Sequence, residues 1–302
     1  MAEGEGYAVF SAAGDSFRQA LEILGASMPY PLHFGQLRLC MVGWQLLGEQ
    51  PLRDLLEPVA QLDTVSPQVT AVAVMGNAAQ TMSAQQPDLG VRLSTYLDQL
   101  LARLRQEKLM PEETMLQTLH MLESGYGDPL LALCALHTDM LPEEDGKQKD
   151  AAQPAGQASA PVFGQSGSIA IGEPSTGADL PPALTAGTLP RQGGNPVEYT
   201  GCALVGGSRV TGMLTAAETK LLLTLRQDAK VTQLGESGGI IAIPQGLSLS
   251  AAAQLVTKLQ LLRCDPLRLG AYAARQYAAK DAFKKSPIVE NLFAMHLTIT
   301  YK

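Results

Sequence analysis

Aromatic side chains, cysteines and long apolar runs are all scarce in this sequence of 302 residues. Phe, Trp and Tyr make up 5% of the chain, with a single tryptophan, so its cores must be built from aliphatic residues. The longest apolar runs, such as residues 71–75 and 130–136, fall well short of the roughly 20 residues that a membrane-spanning helix needs. The four cysteines lie far apart in the sequence, mostly inside apolar segments. That placement is typical of small buried hydrophobic residues and not of a disulfide framework.

Basic residues are also in deficit. The 22 Lys and Arg residues are outnumbered by 29 Asp and Glu residues, which gives a net charge of -7. Because neutralising nucleic-acid phosphates requires Lys and Arg clustered across a whole face, this balance argues against DNA or RNA binding. We therefore expect no nucleic-acid partner.

The sequence does contain enough apolar material for two domains, since 46% of its residues are hydrophobic. We predict an α+β fold with two mixed sheet-plus-helix domains, over residues 1–142 and 197–302. Between them, residues 143–196 are rich in Gly, Pro, Ala and Ser and show no sustained apolar period. Such a segment buries too little apolar surface to offset its ordering entropy, so we predict a flexible, low-complexity linker.

The first domain is predicted from strand-like and helix-like patterns that follow one another along the chain. In order they are a strand at 7–12, a helix capped by Asp15 or Ser16, a strand at 37–42, a helix at 44–62 broken near Gly48 and Pro51, a strand at 69–75, and helices at 88–107 and 112–122. The helix at 88–107 carries the clearest apolar stripe of the domain, which predicts that it covers a sheet.

The second domain opens on a predicted hairpin, with strands at 199–205 and 209–213 and Gly206-Gly207 as the turn. Thr215 and Glu218 have the spacing of a helix capping box. Later elements are strands at 230–234 and 239–244, a helix capped by Ser248, a helix from Asp265 to about Ala279, and a strand at 293–301 that alternates apolar and polar residues.

Several of these segments carry residues that resemble the motifs of the Ger(x)C spore-germination proteins, the C subunits of nutrient germinant receptors. Around the hairpin the matching residues are Gly201, Ala203, Gly212, Leu214, Glu218 and Thr219. Upstream, Gly14-Asp15-Ser16-Phe17 with Ala20 is similar to a helix start of the family, and residues 32–37 are similar to one of its strands. Downstream, residues 264–270 (CDPLRLG) are similar to a helix motif.

The resemblance implies a non-catalytic receptor subunit that acts in nutrient-triggered endospore germination. It also implies docking to A-type and B-type membrane subunits, at the outer face of the spore inner membrane. Members usually begin with a lipoprotein signal sequence, whereas Met1 leads directly into Ala2-Glu3-Gly4-Glu5. We therefore expect an N-terminally truncated or divergent member, which is soluble if the signal sequence and lipobox are genuinely lost.

No group of residues predicts catalysis, a cofactor or a metal ion. Cys134 and His137 have the CxxH spacing of a pair of zinc ligands. A zinc site needs at least three protein ligands, however, and the sequence offers no second Cys/His pair. His33 and Cys40 are roughly 23 Å apart on an extended strand, at about 3.3 Å per residue, which is too far for a thiolate pair. The glycine pairs at 206–207 and 238–239 lack the spacing of a nucleotide-binding loop. We expect that the protein is not an enzyme.

One segment, residues 258–285, has a local excess of positive charge. The residues predicted to face an anionic membrane or an acidic partner are Lys258, Arg268, Arg275, Lys280, Lys284 and Lys285. The alternative interpretation is an ordinary solvated helix face. At the level of the whole protein, the alternative to a receptor subunit is a soluble small-molecule-binding module, or a decayed paralogue without a receptor role.

Overall fold

The computed structural model describes residues 10–85, 92–136, 196–232, 234–235, 238–277, 288 and 291–302. Its helices are α1 (Phe17–Ala26), α2 (Trp44–Glu49), α3 (Leu52–Ala60), α4 (Ala78–Ser83), α5 (Leu93–Gln106), α6 (Met115–Ser124), α7 (Ala216–Asp228), α8 (Leu249–Leu261) and α9 (Leu269–Ala274). Its strands are β1 (Leu39–Gly43), β2 (Thr70–Met75), β3 (Leu130–Leu136), β4 (Val197–Gly206), β5 (Arg209–Thr215), β6 (Lys230–Thr232), β7 (Gly238–Ile243) and β8 (His296–Tyr301). Helices and mixed sheets together confirm the predicted α+β class.

The first sheet has five strands in the order β1-β2-β3-β4-β5. Strands β1, β2 and β3 run parallel, because helices return the chain to the same edge between them. Strand β4 is antiparallel to both β3 and β5. All residues of β3 but the last are buried, which is typical of a strand covered on both faces.

Helices cover both faces of this sheet. Since residues directly opposite each other share a face, Leu131 and Ala203 point to one side, and Leu130 and Leu204 point to the other. The first side packs against α2, α3 and α6. On the second side, α5 covers β1 to β3, while α7 and α8 cover β4 and β5.

The second sheet has three strands in the order β6-β7-β8. Strand β6 is antiparallel to β7, and β8 is parallel to β7. Ile241 and Ile243 of β7 are buried with Leu255 of α8, in the same apolar cluster that contains Leu204 of β4. The two sheets therefore share one core layer, built around α7 and α8.

The hairpin that was predicted to open the second domain lies in the first sheet. Strand β4 pairs with β3 over seven residue pairs, from Leu130↔Leu204 to Leu136↔Val197. The predicted linker at 143–196 thus separates two stretches of sequence whose strands belong to one sheet. Residues 143–195 lie outside the described ranges, so the flexibility of the linker stays a prediction.

Strand predictions near the N-terminus were partly wrong. Residues 10–12 are not in a strand, and 7–9 lie outside the described residues. The segment 32–37, expected as a strand, contains a turn in which the Leu37 N–H donates to the Phe34 C=O at 3.0 Å. Strand β1 begins only at Leu39. Helix α4 and strand β3 were not predicted, because seven consecutive apolar residues in β3 show no alternation that would distinguish a strand from a buried helix.

Helix starts were predicted more accurately. Ser16 accepts a hydrogen bond from the Gln19 N–H, Ser248 does so from the Ala251 N–H, and Thr215 forms a full capping box with Glu218. The last helix differs from its prediction, because α9 begins at Leu269 and not directly after Asp265. It ends at Ala274, earlier than the predicted end near Ala279, because residues 275–277 are not helical; residues 278–279 lie outside the described ranges.

Candidate functional site

Five charged residues meet between the N-terminal and C-terminal parts of the chain, and we call this group the junction. Its members are Glu113, Asp128, Arg226, Asp265 and Arg268. Glu113 and Asp128 come from either side of α6, Arg226 from α7, and the other two from the loop between α8 and α9. The junction is therefore assembled from segments that are distant in sequence.

Asp128 ties three loops together. Its carboxylate accepts hydrogen bonds from the Asp265 N–H at 2.7 Å and from the Gly207 N–H at 3.1 Å. In return, the Asp128 N–H donates to the Asp265 C=O at 3.0 Å. Burial raises the pKa of Asp128, and the two backbone hydrogen bonds act in the opposite direction. The loop before β3, the hairpin turn and the start of the α9 segment are thus fixed by one side chain.

Asp265 is the most buried acid of the junction, with 5% of its surface exposed. Its carboxylate accepts hydrogen bonds from the Leu269 N–H at 2.8 Å and the Gly270 N–H at 2.7 Å, which satisfies backbone donors in the first turn of α9. Burial raises the pKa of Asp265 to about 7, the two backbone hydrogen bonds lower it, and the neighbouring Asp128 raises it. This carboxyl group therefore titrates near neutral pH.

Glu113 is the point where two arginines converge. It is 8% exposed, and its Oε1 atom pairs with Arg226 and, at 3.0 Å, with Arg268. The side chain of Arg226 is 12% exposed, whereas that of Arg268 is 48% exposed. The other carboxylate oxygen, Oε2, has no hydrogen-bond partner among the described residues. The closely buried pair is thus Glu113 with Arg226, and Arg268 completes it from the solvent side.

Glycine allows the backbone to come close at the junction. A Cβ atom on Gly270 would lie 3.3 Å from the Asp265 carboxylate and 3.4 Å from the Tyr126 C=O. Those contacts are tighter than most that a side chain makes, so the absence of a Cβ lets α9 begin directly against the Asp128 loop.

The arrangement of the cysteines does not support nucleophilic chemistry. Burial raises the pKa of the Cys40, Cys134, Cys202 and Cys264 thiols to about 12, so all four are protonated at neutral pH. Cys134 packs in the apolar cluster under α5, and His137 lies outside the described residues. Within the described ranges there is no group of three or more His, Cys, Asp and Glu side chains that could hold a metal ion.

The other histidines considered from the sequence lie on separate elements. His33 is exposed in the loop before β1, His120 is exposed on α6, and His296 is exposed at the start of β8. The structure therefore does not bring them together into a shared site. In the described part of the chain, none of them forms a hydrogen bond or an ion pair with the junction residues.

The structure divides the predicted basic surface into three groups. Lys258 and Arg268 are each paired with a carboxylate of the protein itself: the Lys258 Nζ atom lies 2.8 Å from the Glu218 carboxylate, and Arg268 pairs with Glu113. Arg275 is exposed just after α9 and has no ion pair among the described residues. Lys280, Lys284 and Lys285 lie outside the described ranges.

A narrow cleft lies beside the junction, between α8 and the segment that leads into β8. Its walls are mostly apolar and include Val256, Leu259, Leu269, Leu292, Phe293 and Leu297. It has room for about one water molecule. Such a cleft does not support binding of a larger solute in its present form.

No helix in the described ranges combines the length and apolarity that crossing a bilayer requires.

The junction was not predicted from the sequence. Glu113 lies at the start of the helix predicted at 112–122, and Asp265 at the start of the helix predicted to run to about Ala279. The sequence did contain one local signal, because Asp128 and Asp265 each precede a proline. A proline holds the residue before it in an extended conformation and has no backbone N–H to donate. Nothing in the local sequence, however, connects Glu113 with an arginine that lies 113 residues away.

Comparison with known proteins finds a family model that matches part of this chain. Residues 2–136 match the family model described as the spore germination protein N-terminal domain. Over residues 2–136 the match confirms the resemblance to the Ger(x)C spore-germination proteins that the motifs carry. The crystal structure of the GerBC protein aligns with a TM-score of 0.48 and 13% sequence identity, over 92% of this chain and 82% of that chain. Comparison with curated proteins gives no match.

Proposed function

We propose that this chain is a non-catalytic subunit of a spore germinant receptor, which acts in nutrient-triggered endospore germination by docking to the membrane subunits of the receptor. The observation that carries the proposal is the match of residues 2–136 to the spore germination N-terminal domain. The partners implied by the family are the A-type and B-type membrane subunits. The implied location is peripheral, at the outer face of the spore inner membrane.

The organisation of the junction supports a structural role more than a chemical one. Its carboxylates accept hydrogen bonds from backbone N–H groups or pair with arginines, so their oxygens are largely occupied in joining segments of the chain. The buried thiols are protonated at neutral pH and are poor nucleophiles. These features favour a structural subunit.

Within the basic segment, we propose Arg275 with Lys280, Lys284 and Lys285 as the residues that face an anionic membrane or an acidic partner. Arg275 is exposed, and the three lysines are assigned from the sequence alone. Lys258 and Arg268 are less suited to this role, since each already neutralises a carboxylate of the protein itself.

The proposal is tested by co-purification from spore membranes. The full chain carrying an affinity tag is expected to be recovered from solubilised spore membranes together with the A-type and B-type subunits. A chain that stays entirely in the soluble fraction of dormant spores contradicts the proposal and favours the soluble module.

A separate variant tests the proposed basic docking surface. Replacing Arg275, Lys280, Lys284 and Lys285 by Glu is expected to weaken co-sedimentation with anionic phosphatidylglycerol vesicles by more than about tenfold, because each basic residue near such a surface contributes roughly 1 kcal/mol. The matched control is Lys220→Glu, an exposed residue on α7. Equal binding of both variants and the parent chain contradicts the assignment.

A further inference from the structure

Strand β8 presents an open edge. It lies at one end of the order β6-β7-β8 and pairs with β7. The ladder continues past the strand, since the Lys302 N–H donates to the Ile243 C=O at 2.8 Å. Because successive residues of a strand direct their backbone groups to alternate sides, Leu297, Ile299 and Tyr301 direct their N–H and C=O groups away from β7. These groups form a row of alternating donors and acceptors that no described strand pairs with.

This edge lacks the features that usually protect an edge strand. Residues 296–301 (HLTITY) contain no Pro, Lys, Arg, Asp or Glu, and the pairing with β7 runs without a register shift. The opposite edge, β6, is only three residues long and carries Lys230. In the first sheet, every residue of β1 is buried or half-buried, while β5 carries Arg209 and pairs through an irregular register.

The two faces of β8 have different chemistry. Leu297 and Ile299 are half-buried and pack against the apolar cluster that contains α8. His296 and Thr298 are exposed on the other face, and Thr300 is half-exposed there. Thr, Ile and Tyr all favour strands, so the segment is suited to a sheet with a further neighbour.

We propose that β8 pairs antiparallel with the β8 of a second copy of this chain, so that two three-stranded sheets become one continuous sheet across a two-fold axis. The register with the most hydrogen bonds is centred on Ile299, which faces its own counterpart. Leu297 then lies opposite the counterpart of Tyr301, and both residues direct their backbone groups to the shared edge. Thr298 lies opposite the counterpart of Thr300.

Self-complementarity is the reason for choosing a second copy as the occupant. In this register apolar residues meet apolar or aromatic residues on the core face, threonine meets threonine on the outer face, and no like charges are opposed. A two-fold contact requires one surface to complement itself in this way. Since one strand pair buries less than the roughly 1,600 Å² of a standard interface, the dimer is expected to be weak and to form at high protein concentration.

Sedimentation velocity of the full chain over a range of concentrations tests the proposal. The weight-average mass is expected to rise from 32.0 kDa towards twice that value. The double variant Thr298→Lys, Thr300→Lys places like charges opposite each other and is expected to remain monomeric throughout. The double variant Thr298→Glu, Thr300→Glu also places like charges opposite each other and is likewise expected to remain monomeric. Mixed in equal amounts, the two double variants are expected to associate again, because opposite charges then face each other.

The control is Gln254→Lys, Thr257→Lys, which adds the same charge at exposed positions of α8 and is expected to leave association unchanged. Circular dichroism of every variant checks that the fold is kept. A parent chain that stays monomeric at all concentrations overturns the proposal. So does a dimer that persists in either charged double variant, or a mixture that fails to associate.

Discussion

Replacing Glu113 by Gln tests whether the junction stabilises the fold. The side chain of Arg226 is 12% exposed, so without Glu113 its charge is left largely buried and uncompensated. Removing one partner of such a pair typically costs about 3–5 kcal/mol of unfolding free energy. Arg268 is 48% exposed and can be solvated, so Arg268→Met is expected to lose less than about 1 kcal/mol.

A double-mutant cycle separates the pair from its surroundings. Arg226→Met alone is expected to destabilise by an amount similar to Glu113→Gln, about 3 kcal/mol. The double variant leaves no unpaired charge between these two positions. Its free energy of unfolding is therefore expected to fall by about as much as that of either single variant. The coupling free energy between Glu113 and Arg226 is then roughly 2–3 kcal/mol.

The assay is urea denaturation followed by far-UV circular dichroism and by the fluorescence of Trp44, the single tryptophan. The matched control is Glu57→Gln, which breaks the exposed pair of Glu57 with Arg53 and is expected to cost less than about 0.5 kcal/mol. If the losses of Glu113→Gln and Arg226→Met simply add in the double variant, the two residues do not act as a buried pair and the reasoning is refuted.

Two further predictions concern Asp265 and Gly201. The folded-state pKa of Asp265, about 7, lies above its ordinary value of 3.8, so its contribution to stability is present below about pH 4 and is lost as pH rises through 7. Unfolding free energy measured from pH 5 to pH 8 should therefore fall less steeply in Asp265→Asn than in the parent, and an unchanged slope contradicts the assignment. A Cβ on Gly201 would lie 1.9 Å from the Leu214 C=O, so Gly201→Ala should lose at least about 2 kcal/mol in urea denaturation. Gly48→Ala, in α2 with open space around the glycine, should be neutral or stabilising, and equal losses at both positions would count against the close approach.

Local chemistry was sufficient to predict much of this fold from the sequence. Helix caps depend on residues within one turn, and Ser16, Thr215 and Ser248 all cap the helices that were expected. The alternation of β8 was also visible, because one of its faces is polar and the other apolar. By contrast, β3 is buried on both faces, so its sequence is uniformly apolar. It therefore shows no alternation of apolar and polar residues that would identify a strand.

The junction could not be predicted, because its partners are distant in the chain. The hydrogen bond between Asp265 and Asp128 spans 137 residues, and the pair of Arg268 with Glu113 spans 155. Each residue, seen alone, has an ordinary interpretation as a helix cap, a turn residue or a solvated charge. The pairing of β3 with β4 and the shared apolar cluster bring these positions together, and neither follows from a local sequence pattern.

The first sheet and the junction both join residues after 196 to the N-terminal part of the chain. Residues after 196 contribute β4 and β5 to the first sheet, while α7, which follows directly, packs into the core that carries the second sheet. Separating the two sequence halves would therefore require breaking the β3–β4 ladder and exposing Leu130–Leu136, nearly all of it buried apolar surface. The hydrogen bond from the Asp265 N–H to the Asp128 carboxylate is a second link between the same two parts of the chain, in addition to the β3–β4 ladder.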